Sequence, residues 1–409
     1  MADNLTKRGW KTVQLKDVSQ VIGGGTPSRK KPEYWHGSIP WLTTSDLSGY
    51  PYKKIKGGRE NITKLGLNNS SAKLLPKDSI IYSSRASIGY IAIADNPIAT
   101  SQGFRSFVPI ENKVKPDYLY YALQYYTPLI EKIASGATYK EISGGELKRI
   151  KIDIPPLTEQ NKISSILTSL DKQIENNLKR IKTLEEISKL VYNEWFIHFR
   201  YPGHEDDEIV ETEEGPKPKG WKWKKLGNIA KIIMGQSPRS EYYNKNGEGL
   251  PFHQGVGTFG NFFPATSRYS TKGTKIAKKG DVLFSVRAPV GRINFANMKM
   301  IIGRGLCAVR DKSGNQYFLY EQLIHKFPEE DLIGGGTVFQ AVTKHDMHNL
   351  DMLIPSEPIL KKYEHIASKI FSQIHILVRK NRVLTEIRDL LLPQLISGNI
   401  DVSNLDIEV

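Results

Sequence analysis

The feature that most constrains the fold of this chain is an internal duplication with a period near 200 residues. Gly9–Lys11 recurs at Gly220–Lys222, and Asp78–Gly89 resembles Asp281–Gly291. Between Gly136 and Phe196, each residue is separated from its counterpart in the second copy by 200 positions. Solenoid repeats span only about 20 to 50 residues, so a repeat of this length predicts two similar domains in tandem.

The first part of each half contains short apolar runs bounded by Gly, Pro, Asn or Asp, a pattern typical of strands. This predicts mixed, β-rich structure with many loops and one longer helix per half. The predicted strands are Ser79–Tyr82, Ile91–Ala94, Phe104–Val108, Val282–Val286 and Leu306–Val309, and the predicted helices are Tyr118–Ala134 and Gln316–Lys326.

The second part of each half is a long amphipathic segment. Apolar residues recur about every 3.6 residues from Ile163 to Trp195, and again from Tyr363 to Leu395. A helix of roughly 38 residues would be about 55 to 60 Å long, too long to bury its apolar stripe on one small domain. We therefore expect the two stripes to pack together. The residues predicted to pack are Ile174, Ile181, Leu184, Ile187, Ile374, Leu384, Ile387 and Leu391.

The predicted fold is α+β, with two duplicated mixed α/β domains separated by two long antiparallel helices that form a coiled-coil spacer with a pseudo-twofold axis. The predicted boundaries are a first domain at 1–155, a first helix at 156–200, an acidic linker at 201–219, a second domain at 220–355, and a second helix with the C-terminal tail at 356–409.

The charge of the chain predicts a polyanionic partner. Lys and Arg number 58 against 43 Asp and Glu, and seven of those acids lie in one run from Glu205 to Glu214. Nucleic acid is the usual partner of such a cationic protein, although many basic proteins bind anions only loosely.

Composition also bears on where the protein works. Cys307 is the only cysteine, which excludes intramolecular disulfides and cysteine-based zinc or iron–sulfur sites. No apolar stretch approaches the length of a membrane span or a signal peptide. We expect a cytoplasmic protein that does not enter a membrane.

Motifs of catalysis and cofactor binding are missing from the sequence. The glycine runs Gly23–Gly25 and Gly334–Gly336 do not form a dinucleotide-binding pattern, and no Gly-Lys dipeptide occurs, which removes the phosphate-binding P-loop. His345 and His348 lack a further metal-ligand pattern. We expect a chain without catalytic residues, metal or bound cofactor.

The candidate DNA-contacting residues are cationic, hydroxyl, amide and aromatic side chains that recur in loops of both halves. Lys and Arg neutralise phosphates, whereas Arg, Gln, Ser and Thr also address base edges. The alternatives are solvated turns, aromatic rings anchored in the core, and internal ion pairs. The candidates are Thr26, Ser28, Arg29, Lys30, Lys31, Tyr34, Thr43, Ser45, Arg85 and Arg105 in the first half, and Ser237, Arg239, Tyr242, His253, Gln254, Arg287, Arg292 and Arg304 in the second.

Four segments, taken in order, resemble the specificity (S) subunit of type I restriction-modification systems. They are GWKTVQLKDVSQVIGGGTPS at Gly9–Ser28, IPWLTTSDL at Ile39–Leu47, IPPLTEQNKI at Ile154–Ile163 and LLLPQLISGNI at Leu390–Ile400. The resemblance implies two target-recognition domains, each reading half of a bipartite, asymmetric site in double-stranded DNA. It also implies two methylation subunits, which use S-adenosylmethionine to methylate adenine, and restriction subunits that need ATP and Mg.

Two other hypotheses compete with this one. A self-contained DNA-modifying enzyme would need clustered acidic or metal-binding residues inside one domain, whereas the largest acidic cluster lies in the predicted linker. A non-specific DNA-binding scaffold would need only the basic surface.

Overall fold

A computed structural model describes residues 9–136, 140–328 and 341–406. The chain divides by its contacts into two compact units. Unit 1 comprises Met1–Lys179 and Arg379–Val409, and unit 2 comprises Arg180–Val378. Each unit therefore takes part of both long helices. The boundaries expected from the sequence treat each long helix as a segment separate from the two domains. Those boundaries stay predictions.

The first half of the chain alternates short strands with short helices before one long helix. Its strands are β1 Lys11–Gln14, β2 Ser19–Gly23, β3 Trp35–Leu42, β4 Lys54–Ile55, β5 Glu60–Ile62, β6 Ile80–Tyr82, β7 Ile91–Ala94, β8 Ala99–Thr100, β9 Arg105–Pro109 and β10 Lys151–Ile154. Its helices are α1 Leu15–Val18, α2 Thr44–Leu47, α3 Lys64–Asn68, α4 Pro116–Ile133, α5 Gly144–Arg149 and α6 Leu157–Tyr192, and α6 continues as a π-helical turn at Asn193–Ile197.

The second half repeats this order. Its strands are β11 Ile209–Val210, β12 Lys217–Pro218, β13 Lys222–Lys225, β14 Ala230–Met234, β15 Tyr243–Asn244, β16 Leu250–His253, β17 Tyr269–Ser270, β18 Ile276–Ala277, β19 Val282–Ser285, β20 Ile293–Phe295, β21 Met300–Ile302, β22 Leu306–Asp311 and β23 Asp351–Ile354. Its helices are α7 Leu226–Ile229, α8 Gln316–Lys326, α9 Lys344–Asn349 and α10 Glu357–Ile396. The predicted helix Gln316–Lys326 is confirmed at both ends, and Pro393 lies one turn before the end of α10.

The sheets of the two units correspond. In unit 1 the main sheet has the order β2-β9-β6-β7-β4, and in unit 2 it has the order β14-β22-β19-β20. Beside each sheet lies a parallel pair, β3 with β8 in unit 1 and β16 with β21 in unit 2. The central strands β6 and β19 are buried along their whole length, which accounts for their mainly apolar sequences, IIY and VLFS.

The core of each unit joins its sheet to both long helices. In unit 1, Leu119 of α4 and Phe107 of β9 share one apolar cluster with Ile163 of α6 and Leu395 of α10. In unit 2, Phe284 of β19 shares a cluster with Ile181, Ile374 and Leu377 of the same two helices. Neither β-rich part has a complete core without the helices.

Within unit 1 the two long helices run antiparallel. The Asn177 amide donates to Asn381 Oδ1 at 2.7 Å, and Asn381 in turn donates to the backbone carbonyl of Ile174 at 3.2 Å. Further along, Arg388 donates to Asp171 Oδ1 at 2.9 Å. The partner of residue 177 is residue 381, and the partner of residue 171 is residue 388. The residue numbers of the partners therefore rise along one helix as they fall along the other. A polar pair in a helix seam penalises other registers, because a shifted register would bury unpaired amides.

The residues predicted to pack between the two long helices differ in their burial. Ile174, Ile181 and Ile374 are buried, and Leu184, Leu384 and Leu391 are half-buried. Ile187 and Ile387, however, are 41% and 40% exposed. The buried positions include polar residues that an apolar pattern does not detect, namely Asp171, Asn177 and Ser188.

The predicted solvated linker has structure of its own. Strands β11 and β12 pair antiparallel within it. Tyr201 is buried and stacks on Trp221 at 5.3 Å between ring centroids. The acidic side chains of this segment are largely exposed, as expected.

A buried lysine of the β-rich part of unit 1 forms a hydrogen bond with α6. The Lys53 ammonium is 5% exposed, lies 2.5 Å from Asp117 Oδ1, and donates to Thr168 Oγ1 at 2.6 Å. The hydroxyl of Tyr121, also near this ammonium, donates to Asp171 Oδ2 at 2.5 Å. Burial lowers the pKa of Lys53, while the carboxylate of Asp117 opposes that shift.

Unit 2 uses aromatic packing at the corresponding place. The carbonyl of Lys53 accepts from Ile93 N in β7, and the carbonyl of Phe262 accepts from Phe295 N in β20, so Phe262 takes the place of Lys53. Its ring packs against Phe295 and Phe371, with centroid distances of 6.1 and 6.0 Å. The duplicated docking contact is therefore a hydrogen bond from a buried lysine in one unit and aromatic packing in the other.

Lys53→Met should destabilise the protein by about 1 to 3 kcal/mol, because buried acceptors on Thr168 and Tyr121 lose their donor. Differential scanning calorimetry provides the measurement, and Lys54→Met, which removes an exposed lysine next to it, is the matched control. Equal melting temperatures for the two variants would contradict this role for Lys53.

Glu321→Gln should reduce the pH dependence of stability. Burial raises the pKa of Glu321 to about 7, although a hydrogen bond from Ser188 opposes the shift. A carboxyl whose pKa is raised on folding contributes stability below its unfolded pKa of about 4.5, and this contribution is lost as the pH rises to about 7. The variant should therefore gain up to about 3 kcal/mol relative to the wild type at pH 8, and much less at pH 4.5.

Thermal unfolding across this pH range measures the effect, with the exposed Glu248→Gln as control. A difference between Glu321→Gln and the wild type that does not change with pH would contradict the assignment.

Candidate nucleic-acid interface

Four loops of unit 1 meet at one edge of its sheet. They follow β2, β3 and β6, and the fourth connects β8 to β9. Three backbone hydrogen bonds join them: Gly25 N donates to Thr100 O at 2.8 Å, Ser101 N to Leu42 O at 2.8 Å, and Ser84 N to Gly103 O at 2.9 Å. These bonds fix the loops to one another, so the surface is preformed.

The glycine run after β2 is required by close backbone contacts. A Cβ on Gly24 would lie 2.0 Å from Ser101 O, and one on Gly25 would lie 2.3 Å from Ala72 N. Gly235 has the same role in unit 2, where a Cβ would lie 2.1 Å from Gly303 O. Gly23–Gly25 is thus a close-approach segment, whereas Gly334–Gly336 lies outside the described residues.

Unit 2 repeats this frame of hydrogen bonds. Gln236 N donates to Ile302 O at 3.0 Å, Gly303 N to His253 O at 2.8 Å, and Val286 N to Gly305 O at 3.0 Å. The two units therefore present loops with the same backbone connections and different side chains.

In the loop after β2, one arginine side chain has partners within the protein, whereas the neighbouring lysines extend into solvent. Arg29 donates to both carboxylate oxygens of Glu60, at 2.5 and 2.7 Å, and stacks 3.7 Å from the ring centroid of Trp35. The hydrogen bond from Arg29 lowers the pKa of Glu60. Lys30 and Lys31 are exposed, as is Ser28.

The loop after β3 holds its hydroxyls in a short helix cap. Thr43 donates through its backbone N and its Oγ1 to Asp46 Oδ2, both at 2.7 Å. Ser45 Oγ lies 2.7 Å from Thr43 Oγ1 and is exposed. Thr26, from the loop after β2, donates to Gln102 Oε1 in the loop before β9.

Arg85 and Arg105 converge on one carboxylate. Each guanidinium lies 3.7 Å from an oxygen of Glu141. Thr44, Arg85, Ala86 and Gly103 line an open pocket of about 210 Å³ beside this group. The pair of arginines thus has internal partners, as the alternative reading allowed, while Arg85 remains exposed.

In unit 2, Ser237 contacts two of the corresponding candidate residues. Its hydroxyl donates to Gln254 Oε1 at 2.7 Å and accepts from Arg304 N at 3.3 Å. Tyr242 is half-buried, and Lys272 donates to its hydroxyl at 3.3 Å. Gln254, Arg304, Arg239, Arg287 and Arg292 are exposed.

Two predicted contact residues do not face solvent. His253 is fully buried, its Nδ1 lies 2.9 Å from Thr258 Oγ1, and burial lowers its pKa to about 4. Tyr34 is 6% exposed and packs in a cluster with Trp35 and Trp41. Both expectations of direct DNA contact need correction, because these side chains support the loops from within.

Sequence reasoning missed Gln102 and Thr44, which lie on the same surface. The signal that could have found Gln102 is the alignment of Gln102-Gly103 with Arg304-Gly305, each just before an apolar strand. Thr44 adjoins the diverged Thr43 and gave no separate signal.

Among the residues that the structure describes, no group of three or more His, Cys, Asp and Glu side chains is arranged to hold a metal ion. Among the helices of the same residues, none combines the length and hydropathy of a membrane span.

Known proteins resemble this chain over nearly its whole length. Residues 7–186 and 218–386 each match the type I restriction modification DNA specificity domain. The MjaIX type I restriction enzyme specificity subunit of Methanocaldococcus jannaschii is 34% identical over 414 residues, which cover 97% of this chain and 95% of that protein. The HindI specificity subunit of Haemophilus influenzae is 24% identical over 96% of this chain and 99% of its own length.

A solved structure has the same fold. The crystal structure of the type I restriction-modification S subunit from M. genitalium superposes with a TM-score of 0.58 at 17% identity, covering 97% of each chain. Two matching domains, placed where the sequence repeats and where the structure forms corresponding loop surfaces, settle the family. The chain belongs to the type I restriction enzyme specificity subunits.

Proposed function

We propose that unit 1 and unit 2 each read one half of a bipartite, asymmetric site in double-stranded DNA. The observation that supports this is the shared frame of backbone hydrogen bonds carrying unlike side chains. Thr26, Thr43 and Gln102 occupy in unit 1 the places that Ser237, Gln254 and Arg304 occupy in unit 2. A common backbone gives both units the same approach to DNA, and unlike side chains give each its own sequence preference.

The exposed cations suit the sequence-independent part of binding. Lys30, Lys31 and Arg85 in unit 1, and Arg239 and Arg287 in unit 2, lie in or beside the loops of this frame. Contacts from such side chains to phosphates hold a protein in register on the duplex, and their contribution weakens with salt.

The two long helices set the gap between the half-sites in this proposal. Each helix belongs to both units, and the Asn177–Asn381 pair favours one register between them. A fixed register gives a fixed number of unread base pairs, as half-site spacing does in dimeric DNA-binding proteins.

The chain itself carries out no chemistry in this proposal. Two methylation subunits would bind S-adenosylmethionine and methylate adenine, and restriction subunits would use ATP and Mg to move along and cut DNA. The protein would act in the cytoplasm, where DNA is accessible. Its own contribution is to select the site.

Exchanging residues 1–150 for the same segment of a relative should change one half of the recognised site and leave the other half and the gap unchanged. Selection from randomised DNA, using the full chain assembled with its methylation subunits, measures this. The reciprocal exchange of residues 220–350 is the matched control. Changes in both halves would contradict the assignment of one half-site per unit, and no sequence preference in any chain would favour the scaffold hypothesis.

Inserting seven residues into each long helix, after Leu178 in α6 and before Lys380 in α10, should lengthen the gap by about two or three base pairs. Seven residues add roughly 10 Å of helix and two turns, which keeps the faces of the helices aligned. The bases at both ends of the site should not change. The same selection assay measures the gap, and an unchanged gap with altered flanking bases would refute the spacer role.

A further inference from the structure

Two tight turns lie at corresponding positions in the two units. In unit 1, Phe104 N donates to Ser101 O at 3.2 Å and closes a turn with Gln102 and Gly103 at its centre. In unit 2, Leu306 N donates to Gly303 O at 3.0 Å and closes a turn around Arg304 and Gly305. Each turn connects the parallel strand of the side sheet to a strand of the main sheet.

Both turns are anchored in the same way. The first residue of each donates its backbone N–H to the end of the parallel neighbour strand, at 2.8 Å in both units. The glycine carbonyl of each accepts from a residue just beyond the buried central strand, Ser84 N at 2.9 Å and Val286 N at 3.0 Å. Because the backbones are held alike, the turns differ in their side chains: the first position is Ser101 in one and Gly303 in the other, and the second is Gln102 in one and Arg304 in the other.

The third position admits no side chain without displacement. A Cβ on Gly305 would lie 2.7 Å from the carbonyl oxygen of Gln254, and one on Gly103 would lie 2.9 Å from Thr44 Cγ2. The second position has no such restriction, and both Gln102 and Arg304 are exposed. Each turn therefore presents one polar side chain at the edge of its loop surface.

The neighbours of each side chain suit base recognition. The Thr26 hydroxyl donates to Gln102 Oε1, which orients the amide and leaves the oxygen a second lone pair beside the two donors of Nε2. In unit 2, the backbone N–H of Arg304 donates to Ser237 Oγ. This hydrogen bond holds the backbone from which the arginine side chain extends. Glutamine pairs in bidentate fashion with N6 and N7 of adenine, and arginine pairs with O6 and N7 of guanine.

We propose that Gln102 and Arg304 determine specificity at one equivalent position in each half-site, with Gln102 reading an adenine and Arg304 reading a guanine in the major groove. This inference rests on the proposed function and names residues within it. It assigns to Arg304 a direct base contact.

The test exchanges the two side chains. Gln102→Arg should shift one position of the half-site read by unit 1 from adenine towards guanine, and Arg304→Gln should do the reverse in the other half-site. A bidentate contact discriminates by about 1 to 3 kcal/mol, so we expect the preference at that position to change by roughly 5- to 150-fold. Gln102→Ala should abolish the preference at the same position and leave the rest of the site intact.

The measurement is selection from randomised DNA by the full chain assembled with its methylation subunits. Gln173→Arg, which adds the same cation on the exposed face of α6, controls for charge alone. Unchanged preferences in Gln102→Arg and Gln102→Ala, or a loss of affinity equal for all sequences, would overturn the inference. A wild-type chain without any sequence preference would instead overturn the proposed function.

Discussion

The burial of both long helices in the core of each unit is the constraint on which the rest of the structure depends. Ile163 and Leu395 complete the apolar cluster of unit 1, and Ile181 and Ile374 complete that of unit 2. A helix shared in this way cannot slide without disturbing two cores. The polar pair Asn177–Asn381 adds a further penalty against a shifted register, because displaced amides would be left without partners in a partly buried seam. The proposed reading of two half-sites depends on this register.

Between the two units, the backbone of the loops is conserved and the side chains differ. The backbone frame of the loops is retained, including the close-contact glycines Gly24 and Gly103, which correspond to Gly235 and Gly305, whereas the side chains that it presents differ. The docking contact to the helices has diverged too: Lys53 donates to the Thr168 hydroxyl of α6 in unit 1, whereas Phe262 packs against the Phe371 ring of α10 in unit 2.

The sequence was informative where local pattern and periodicity determine structure. The repeat, the strands around Ile80 and Leu306, and the helix Gln316–Lys326 follow from short-range signals. The burial of His253 and Tyr34 could not be predicted in this way, since it depends on residues distant in sequence. The buried side of α6 contains Asp171, Asn177 and Ser188, whose partners lie in α4, α10 and α8, so an apolar pattern placed Ile187 in the seam in error. The position of Gln102 on the loop surface could not be predicted for a related reason. It depends on a turn that is held by contacts with other loops.

The most direct test of the central claim is a map of methylated adenines in DNA from cells that carry the complete system. Two non-identical readers on one helix pair predict a motif made of two unlike specified segments, separated by a constant number of unspecified base pairs. A single uninterrupted motif, two identical half-sites, or a gap of variable length would contradict the account.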